Sequence, residues 1–203
     1  MIGIIDYGIN DTSELTKILT SLNIKFIKTR NEKDIIHCDK IIISDASNLS
    51  KAVKRIHLFN LFSLLRFLKK PTLGISLGMD LLCNKSNDGI SCLGLIESDV
   101  INDTMADAVI RIPGMKEIQI LKENKLFANI EEGTQFYFTN NYHIDIFEST
   151  IAIADNSNPF SADNSNPFSA AIQKDNFYGV QFLPEKSEEQ GIQILKNFIL
   201  NIT

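Results

Sequence analysis

The chain has 203 residues, of which 44% are hydrophobic, and a formal net charge of −5 at pH 7. This length allows one substantial hydrophobic core and is short for two, so we expect a single domain over residues 1–203. Because the net charge is negative and we expect no basic cluster in the chain, the sequence argues against nucleic acid and anionic membranes as partners.

The first half of the chain alternates strand and helix patterns. The apolar run Ile2 to Ile5 ends at a turn-forming Asp6-Tyr7-Gly8 and is followed by a helical period from about Ser13 to Leu22. Alternation of this kind predicts an α/β fold with a doubly wound, mainly parallel sheet. The further elements predicted here are strands at Lys25 to Lys28, Lys40 to Ile43 and Thr72 to Ile75, and a long amphipathic helix from Leu49 to Leu68.

The second half is rich in strand patterns and predicts a mixed extension of the same sheet. It closes with an amphipathic helix from Glu188 to Ile202. The predicted strands are Ala108 to Ile112, Glu117 to Leu121, Gln135 to Phe138, Thr150 to Ala154, Ala170 to Gln173 and Tyr178 to Phe182.

The stretch GISLGMDLL, residues 74–82, has the spacing G-x-S-x-G directly after a predicted strand. This spacing is typical of the strand-to-helix elbow that presents a nucleophile at the carboxyl end of a strand. Ser76 is therefore a candidate nucleophile. A serine at such an elbow needs a base during the attack, because its hydroxyl is not ionised at neutral pH.

The octapeptide ADNSNPFS occurs twice in tandem, at 154–161 and 162–169. Two copies with a period of eight cannot build a solenoid, and the composition is that of a turn. We interpret the duplication as an extension of a loop between two strands, since lengthening a flexible loop costs little closure entropy.

Cys38, Cys83 and Cys92 have no metal-ligand or disulfide spacing, and we expect them to be buried thiols in a reducing compartment. The N-terminus has no signal-peptide pattern, and no apolar run reaches the length of a membrane span. These features predict a cytoplasmic protein without a metal site.

The motifs IIDYG, GISLGMDLL, QKDNFYGVQFLPEKS and GIQILKNF, in this order, resemble the glutaminase subunit of imidazole glycerol phosphate synthase, a class I glutamine amidotransferase. The resemblance runs from Met1 to about Phe198. It implies a flavodoxin-like fold and a Cys, His, Glu triad that hydrolyses glutamine and supplies ammonia to a cyclase (β/α)8 barrel subunit. It implies no cofactor.

The triad of the family maps onto Ser76, Leu183 and Glu185, so only the glutamate matches. The family has cysteine at the first position and histidine at the second. Serine raises the demand for a base, and leucine can neither accept nor return a proton. The resemblance thus predicts that glutamine hydrolysis has been lost and that glutamine is a ligand only if the site still binds it.

Other departures gather around the same site. The family's glycine-bearing oxyanion loop is replaced by a segment that includes Asp45 and Ala46, and an aspartate there opposes stabilisation of an oxyanion. The resemblance places the substrate-contacting positions at Gly78, Asp80, Asn140, Asn141 and Tyr142.

Three functional hypotheses remain. The first is a disabled glutaminase-like subunit that still docks on a cyclase barrel, where the resemblance places Lys186 at the partner-facing surface. The second is a working amidotransferase subunit, with the partner using free ammonia or another base rescuing hydrolysis. The third is a serine hydrolase that uses Ser76 and His143, or a decayed gene product; Cys83, seven residues beyond Ser76, is too far along a helix to replace it.

Overall fold

Nine strands form the central sheet in the computed structural model, which describes residues 1–103, 113–139, 142–155 and 167–203. Two further short strands, at 101–102 and 142–143, form a separate two-stranded sheet within the described residues. In chain order the strands are β1 (Ile2–Ile5), β2 (Phe26–Thr29), β3 (Lys40–Ile43), β4 (Thr72–Ile75), β5 (Ile101–Asn102), β6 (Gly114–Ile120), β7 (Gln135–Phe138), β8 (Tyr142–His143), β9 (Thr150–Ala154), β10 (Phe168–Lys174) and β11 (Phe177–Val180).

The order of strands in the sheet is β2-β1-β3-β4-β11-β10-β9-β6-β7. The pairings from β2 to β11 are parallel, and those from β11 to β7 are antiparallel. Strands β1 and β4 are buried along their whole length, as expected of parallel strands covered on both faces. The structure thereby confirms the predicted doubly wound α/β fold with a strand-rich C-terminal half.

Six α-helices are present in the described part of the chain, and they connect the parallel strands or close the chain. They are α1 (Ser13–Ser21), α2 (Glu32–His37), α3 (Leu49–Leu58), α4 (Leu61–Arg66), α5 (Leu77–Leu82) and α6 (Glu188–Asn201). None of the helices in the described residues has both the length and the apolar character needed to cross a bilayer.

The prediction of one long helix from Leu49 to Leu68 is wrong. The helix ends at Leu58, and Asn60 adopts a left-handed conformation with φ 57° before α4 begins. Asparagine tolerates this conformation better than most residues, because its short polar side chain can bond locally. Apolar residues continue at helical spacing through the break, so the sequence pattern alone did not show it.

The predicted strands at 2–5, 40–43, 72–75, 135–138 and 150–154 agree with the structure in both bounds. Others shift by up to three residues, and the last strand ends at Val180 rather than Phe182. The short elements α2, β5 and β8 were not predicted. The predicted strand Ala108 to Ile112 and residues 156–166 of the repeated octapeptides lie outside the described residues.

Two apolar layers pack on opposite faces of the sheet and position the loops at its carboxyl edge. One layer includes Ile4, Phe136, Phe182 and Leu183, and the other includes Tyr7, Ile43 and Met79. All three cysteines are buried and free, as predicted. The elbow between β4 and α5 lies where β3, β4 and β11 end together.

Candidate active site

Ser76 joins β4 to α5 in a strained conformation, with φ 52° and ψ −117°. Positive φ is unusual for a residue with a Cβ and occurs where a tight turn requires it. The Ser76 N–H donates to Val180 O at 2.7 Å, which ties the turn to β11. The geometry is that of the predicted elbow, and Ser76 is fully buried.

Gly78 allows the elbow to press against the end of β3. A Cβ at Gly78 would lie 1.9 Å from Ile43 O, which no side chain can tolerate. Gly74 has a similar role, since its Cβ would lie 2.5 Å from Gly78 O. Both glycines of G-x-S-x-G are therefore required by close backbone approach.

Asp45 occupies the loop that follows β3 and faces the elbow. One of its carboxylate oxygens, Oδ1, accepts a hydrogen bond from the Leu77 N–H at 3.2 Å. The amide after the nucleophile is the one that contributes to the oxyanion hole at an elbow of this type. Burial raises the pKa of Asp45, while the hydrogen bond from the Leu77 backbone and the neighbouring Ser76 side chain oppose the rise.

Polar contacts beneath the elbow hold the Asp45 loop in place. The Tyr7 hydroxyl donates to Ser44 O, and Asn10 Nδ2 donates to both Ser44 Oγ and Ile5 O at 2.9 Å. Burial raises the pKa of Tyr7 far above its usual range. Sequence reasoning did not assign these supports, although Tyr7 lies in the quoted motif IIDYG.

Leu183 leaves the end of β11 and turns into the core. Its side chain is 3% exposed, and its N–H donates to Tyr137 O at 2.8 Å. The buried Ser187 hydroxyl accepts from the Tyr137 N–H at 2.9 Å and donates to Leu183 O at 2.7 Å, which fixes the turn. The position thus presents an apolar side chain and no proton acceptor.

Glu185 lies in the short 3-10 turn Pro184–Lys186 that follows Leu183. Its pKa is raised to about 7, chiefly by burial and further by the negative charge of Asp45. Its Oε2 atom is buried and makes no hydrogen bond to a described residue. The Asp45 carboxylate therefore lies close enough to disfavour the ionisation of Glu185.

The Ser76 hydroxyl is not hydrogen-bonded to a base in the described chain. Ser76 Oγ is buried without a hydrogen-bond partner among the described residues. The carboxyl group of Asp45 lies near Ser76, but its Oδ1 atom already accepts a hydrogen bond from the Leu77 N–H. The site thus combines a buried serine at the elbow, a buried leucine at 183 and the carboxyl group of Glu185.

Lys186 is exposed at the rim of this site. Its Nζ lies 5.8 Å from the centroid of the Tyr137 ring. Its positive charge opposes part of the rise in the pKa of both Asp45 and Glu185. Within the described residues it forms no ion pair, so its charge is available at the surface.

The remaining predicted contact residues divide into three groups. Ala46 is half-buried beside Asp45, and Asp80 is fully buried on α5. Tyr142 lies in β8, where burial and the charges of Asp88 and Asp80 raise its pKa. Asn140 and Asn141 lie outside the described residues.

His143 faces acidic side chains rather than Ser76. Its Nδ1 lies 2.7 Å from Asp103 Oδ1, and its Nε2 lies 3.5 Å from Asp145 Oδ1. The imidazole is buried. It makes no hydrogen bond to Ser76 Oγ, which has no hydrogen-bond partner in the described chain. The geometry gives the Ser76 and His143 hydrolase hypothesis no support.

The chain is similar over nearly its whole length to proteins of one family. A family model described as "Glutamine amidotransferase class-I" matches residues 3–202. The chain is similar to "Imidazole glycerol phosphate synthase subunit HisH" of Yersinia pseudotuberculosis, with 34% identity and 97% of each chain covered. It is similar to the protein of the same name from Leptospira interrogans, with 31% identity and 98% of each covered.

Solved structures share the fold at low sequence identity. A crystal structure of a glutamine amidotransferase superposes with a TM-score of 0.72 at 12% identity, covering 98% of this chain and 99% of that one. PurLQS from Thermotoga maritima superposes with a TM-score of 0.67 at 13% identity, covering 100% and 98%. Both likenesses extend over the full sheet and its helices.

Proposed function

Since the chain belongs to the class-I glutamine amidotransferase family, we propose that it is a HisH-like subunit that has lost glutamine hydrolysis and acts by binding a cyclase barrel partner. Its relatives carry the name of an imidazole glycerol phosphate synthase subunit, which supports this role. Glutamine is a ligand of this chain only if the altered site still admits it.

The observation that carries the proposal is the break in the proton path. Buried Leu183 stands at the position where the family has its histidine, and Ser76 Oγ and Glu185 Oε2 are both left without partners in the described chain. A serine hydroxyl cannot attack an amide without passing its proton to a base. Loss of the base from a serine triad lowers the rate on the order of 10^6-fold.

The oxyanion position opposes the reaction as well. In amide hydrolysis, negative charge develops on the carbonyl oxygen and must be stabilised by N–H donors. Here the Leu77 N–H donates to the Asp45 carboxylate instead. A developing oxyanion would therefore have to displace an existing anion and approach a second carboxyl group, that of Glu185.

Partner binding requires surface shape and charge but no proton transfer. The segment Pro184 to Ser187 keeps the residues of the family motif and is held in its turn by the Ser187 hydroxyl. Lys186 stands exposed at its rim without an ion pair in the described chain. These features suit a rim contact to a cyclase subunit.

The test is ammonia release from glutamine by the purified chain, alone and with the cyclase barrel encoded in the same genome. The matched positive control is an active HisH with its own partner under identical conditions. We expect release at the rate of a buffer control, together with a one-to-one complex in light scattering. Turnover above about one per minute with clean protein would show a working glutaminase. Failure to associate at tens of micromolar would remove the partner-binding role.

A further inference from the structure

The segment between Asp45 and Asp80 is strongly basic. It contains six lysine and arginine residues and no aspartate or glutamate, so the expectation that the chain has no basic cluster is wrong. Because the net charge of the chain is −5, the rest of it carries −11. The six residues are Lys51, Lys54, Arg55, Arg66, Lys69 and Lys70.

Five of these six cations lie exposed on or next to α3 and α4. Lys70 differs, because its Nζ donates to the carbonyl oxygens of Ile35, Ile36 and Cys38 at the end of α2. The other five form no ion pair with any described residue. We call them the α3–α4 basic face: Lys51, Lys54, Arg55, Arg66 and Lys69.

Aromatic rings hold part of this face in a fixed arrangement. The His57 and Phe62 rings stack with centroids 4.3 Å apart, and the Arg66 guanidinium lies 5.6 Å from the Phe62 centroid. The Arg55 guanidinium lies 6.0 Å from the Phe59 centroid. These contacts join the end of α3 to α4 and keep two guanidinium groups at the surface.

Large apolar side chains are exposed beside the cations. Phe67, which follows Arg66, is 77% exposed, and Leu58, which follows His57, is 65% exposed. Ile36 is 53% exposed at the end of α2, which the Lys70 contacts place next to the chain after Phe67. Exposed phenylalanine and leucine among lysine and arginine are typical of helices that lie in a membrane interface.

The face extends away from the candidate active site. Lys69 lies just before β4, whose opposite end carries Ser76. The Lys69 end of the basic face is thus at the amino edge of the sheet, whereas the elbow is at the carboxyl edge. An occupant of this face would not need to use the elbow, so the inference is independent of the proposed function.

We propose that the α3–α4 basic face, with Leu58 and Phe67, docks the protein on an anionic lipid bilayer. Phosphate and carboxylate headgroups match the five unpaired cations, and the acidic remainder of the chain orients the molecule with this face toward the bilayer. The acyl boundary accepts the two exposed apolar side chains.

A single-stranded nucleic acid fits these observations less well. Such ligands bind by stacking bases on free aromatic faces. The Phe62 ring is already stacked by His57, and the Phe59 ring is approached by the guanidinium groups of Arg30 and Arg55. Phe67, the most exposed phenylalanine of the described residues, has no aromatic partner among them.

The experiment is flotation of the purified full chain with unilamellar vesicles at about 0.15 M salt. One set contains phosphatidylcholine alone, and the other contains about a third phosphatidylserine. We expect at least tenfold stronger partitioning to the anionic vesicles. Lys54→Glu with Lys69→Glu should lower it at least tenfold, and Leu58→Ser with Phe67→Ser should lower it severalfold at unchanged charge.

Matched controls separate this face from general charge. Lys25→Glu with Lys125→Glu changes the net charge equally at two exposed sites elsewhere, and Leu200→Ser removes an apolar side chain of similar exposure. Both should bind as the unaltered chain does, with circular dichroism confirming the fold of each variant. The proposal is overturned if the chain does not bind anionic vesicles or if the control variants lose as much binding. Polyuridylate serves as the single-stranded nucleic acid probe, and binding to it but not to the vesicles would also overturn the proposal.

Discussion

The carboxylate of Asp45 accepts a hydrogen bond from the backbone N–H of Leu77 at 3.2 Å. The two residues are 32 positions apart and meet because β3 and β4 are neighbours whose carboxyl ends lie together. An anion therefore occupies the amide that an elbow uses to stabilise a developing negative charge. Leu183, which cannot accept a proton, and the occupied Leu77 amide each oppose hydrolysis of an amide at this elbow.

The first prediction concerns restoration of the site. Ser76→Cys with Leu183→His supplies a nucleophile and a base but leaves Asp45 on the Leu77 amide, so ammonia release should recover little. Adding Asp45→Gly should raise turnover of that double variant about 100-fold, the usual effect of one oxyanion-hole donor. The measurement is glutamine turnover with the cyclase partner present. Full activity in the double variant would show that the Asp45 contact is without consequence.

The second prediction concerns pH. The Glu185 carboxyl has a pKa of about 7 in the folded chain, against 4.5 when unperturbed. Between these values the folded chain holds more protons than the unfolded chain, so the contribution of Glu185 to stability falls as the pH rises. Glu185→Gln should therefore raise the free energy of unfolding by about 1–2 kcal/mol near pH 8, allowing for partial exposure, and leave it unchanged near pH 4.

Urea unfolding of the two chains at both pH values checks the Glu185 prediction. The exposed Glu123→Gln is the matched control and should show no difference between the two conditions. An equal effect of Glu185→Gln at both pH values would mean that this carboxyl does not titrate as its environment implies.

The third prediction concerns the packing of the elbow. Gly78→Ala should destabilise the fold by about 3 kcal/mol or more, because the new Cβ meets the Ile43 carbonyl and the backbone must move. Gly89→Ala is the control: Gly89 has φ +84° but no atom within 4 Å of the new Cβ. It should cost only about 1 kcal/mol of backbone strain. Equal midpoints in urea unfolding would contradict this account.

The fourth prediction concerns the Ser187 hydroxyl, which bridges Tyr137 and Leu183. Ser187→Ala leaves the partly buried Tyr137 N–H and the Leu183 carbonyl without this partner and should lower the free energy of unfolding by about 1–3 kcal/mol. Ser63→Ala, at an exposed helical position, should change it by less than about 0.5 kcal/mol. An unchanged free energy of unfolding in Ser187→Ala would show that another group forms these hydrogen bonds in its place.

The fifth prediction concerns the rim. If the chain docks on a cyclase barrel through the segment after Leu183, Lys186→Glu should weaken the complex about tenfold and reduce the dependence of its association rate on salt. Lys174→Glu changes the same charge on β10, where the lysine pairs with Glu97. Affinity measured by titration calorimetry should fall only for Lys186→Glu, and equal losses would point to net charge rather than a contact.

The sequence by itself determined the fold class, the position of the elbow and the absence of a base at position 183. Hydrophobic periodicity and turn-forming residues are local properties of the sequence. They located five strands in both bounds: β1, β3, β4, β7 and β9. The identity of Leu183 needs no coordinates, because no arrangement makes a leucine accept a proton. The motif G-x-S-x-G likewise fixed which residue stands at the turn.

Only the tertiary structure decided which groups meet. The hydrogen bond from the Leu77 amide to Asp45 and the pairing of His143 with Asp103 join residues far apart in the chain. The left-handed Asn60 separates α3 from α4 although the apolar spacing continues through it. The raised pKa of Glu185 arises from burial and from Asp45, neither of which a local pattern contains. Local preference sets the elements, whereas contacts between distant segments set the chemistry of the site.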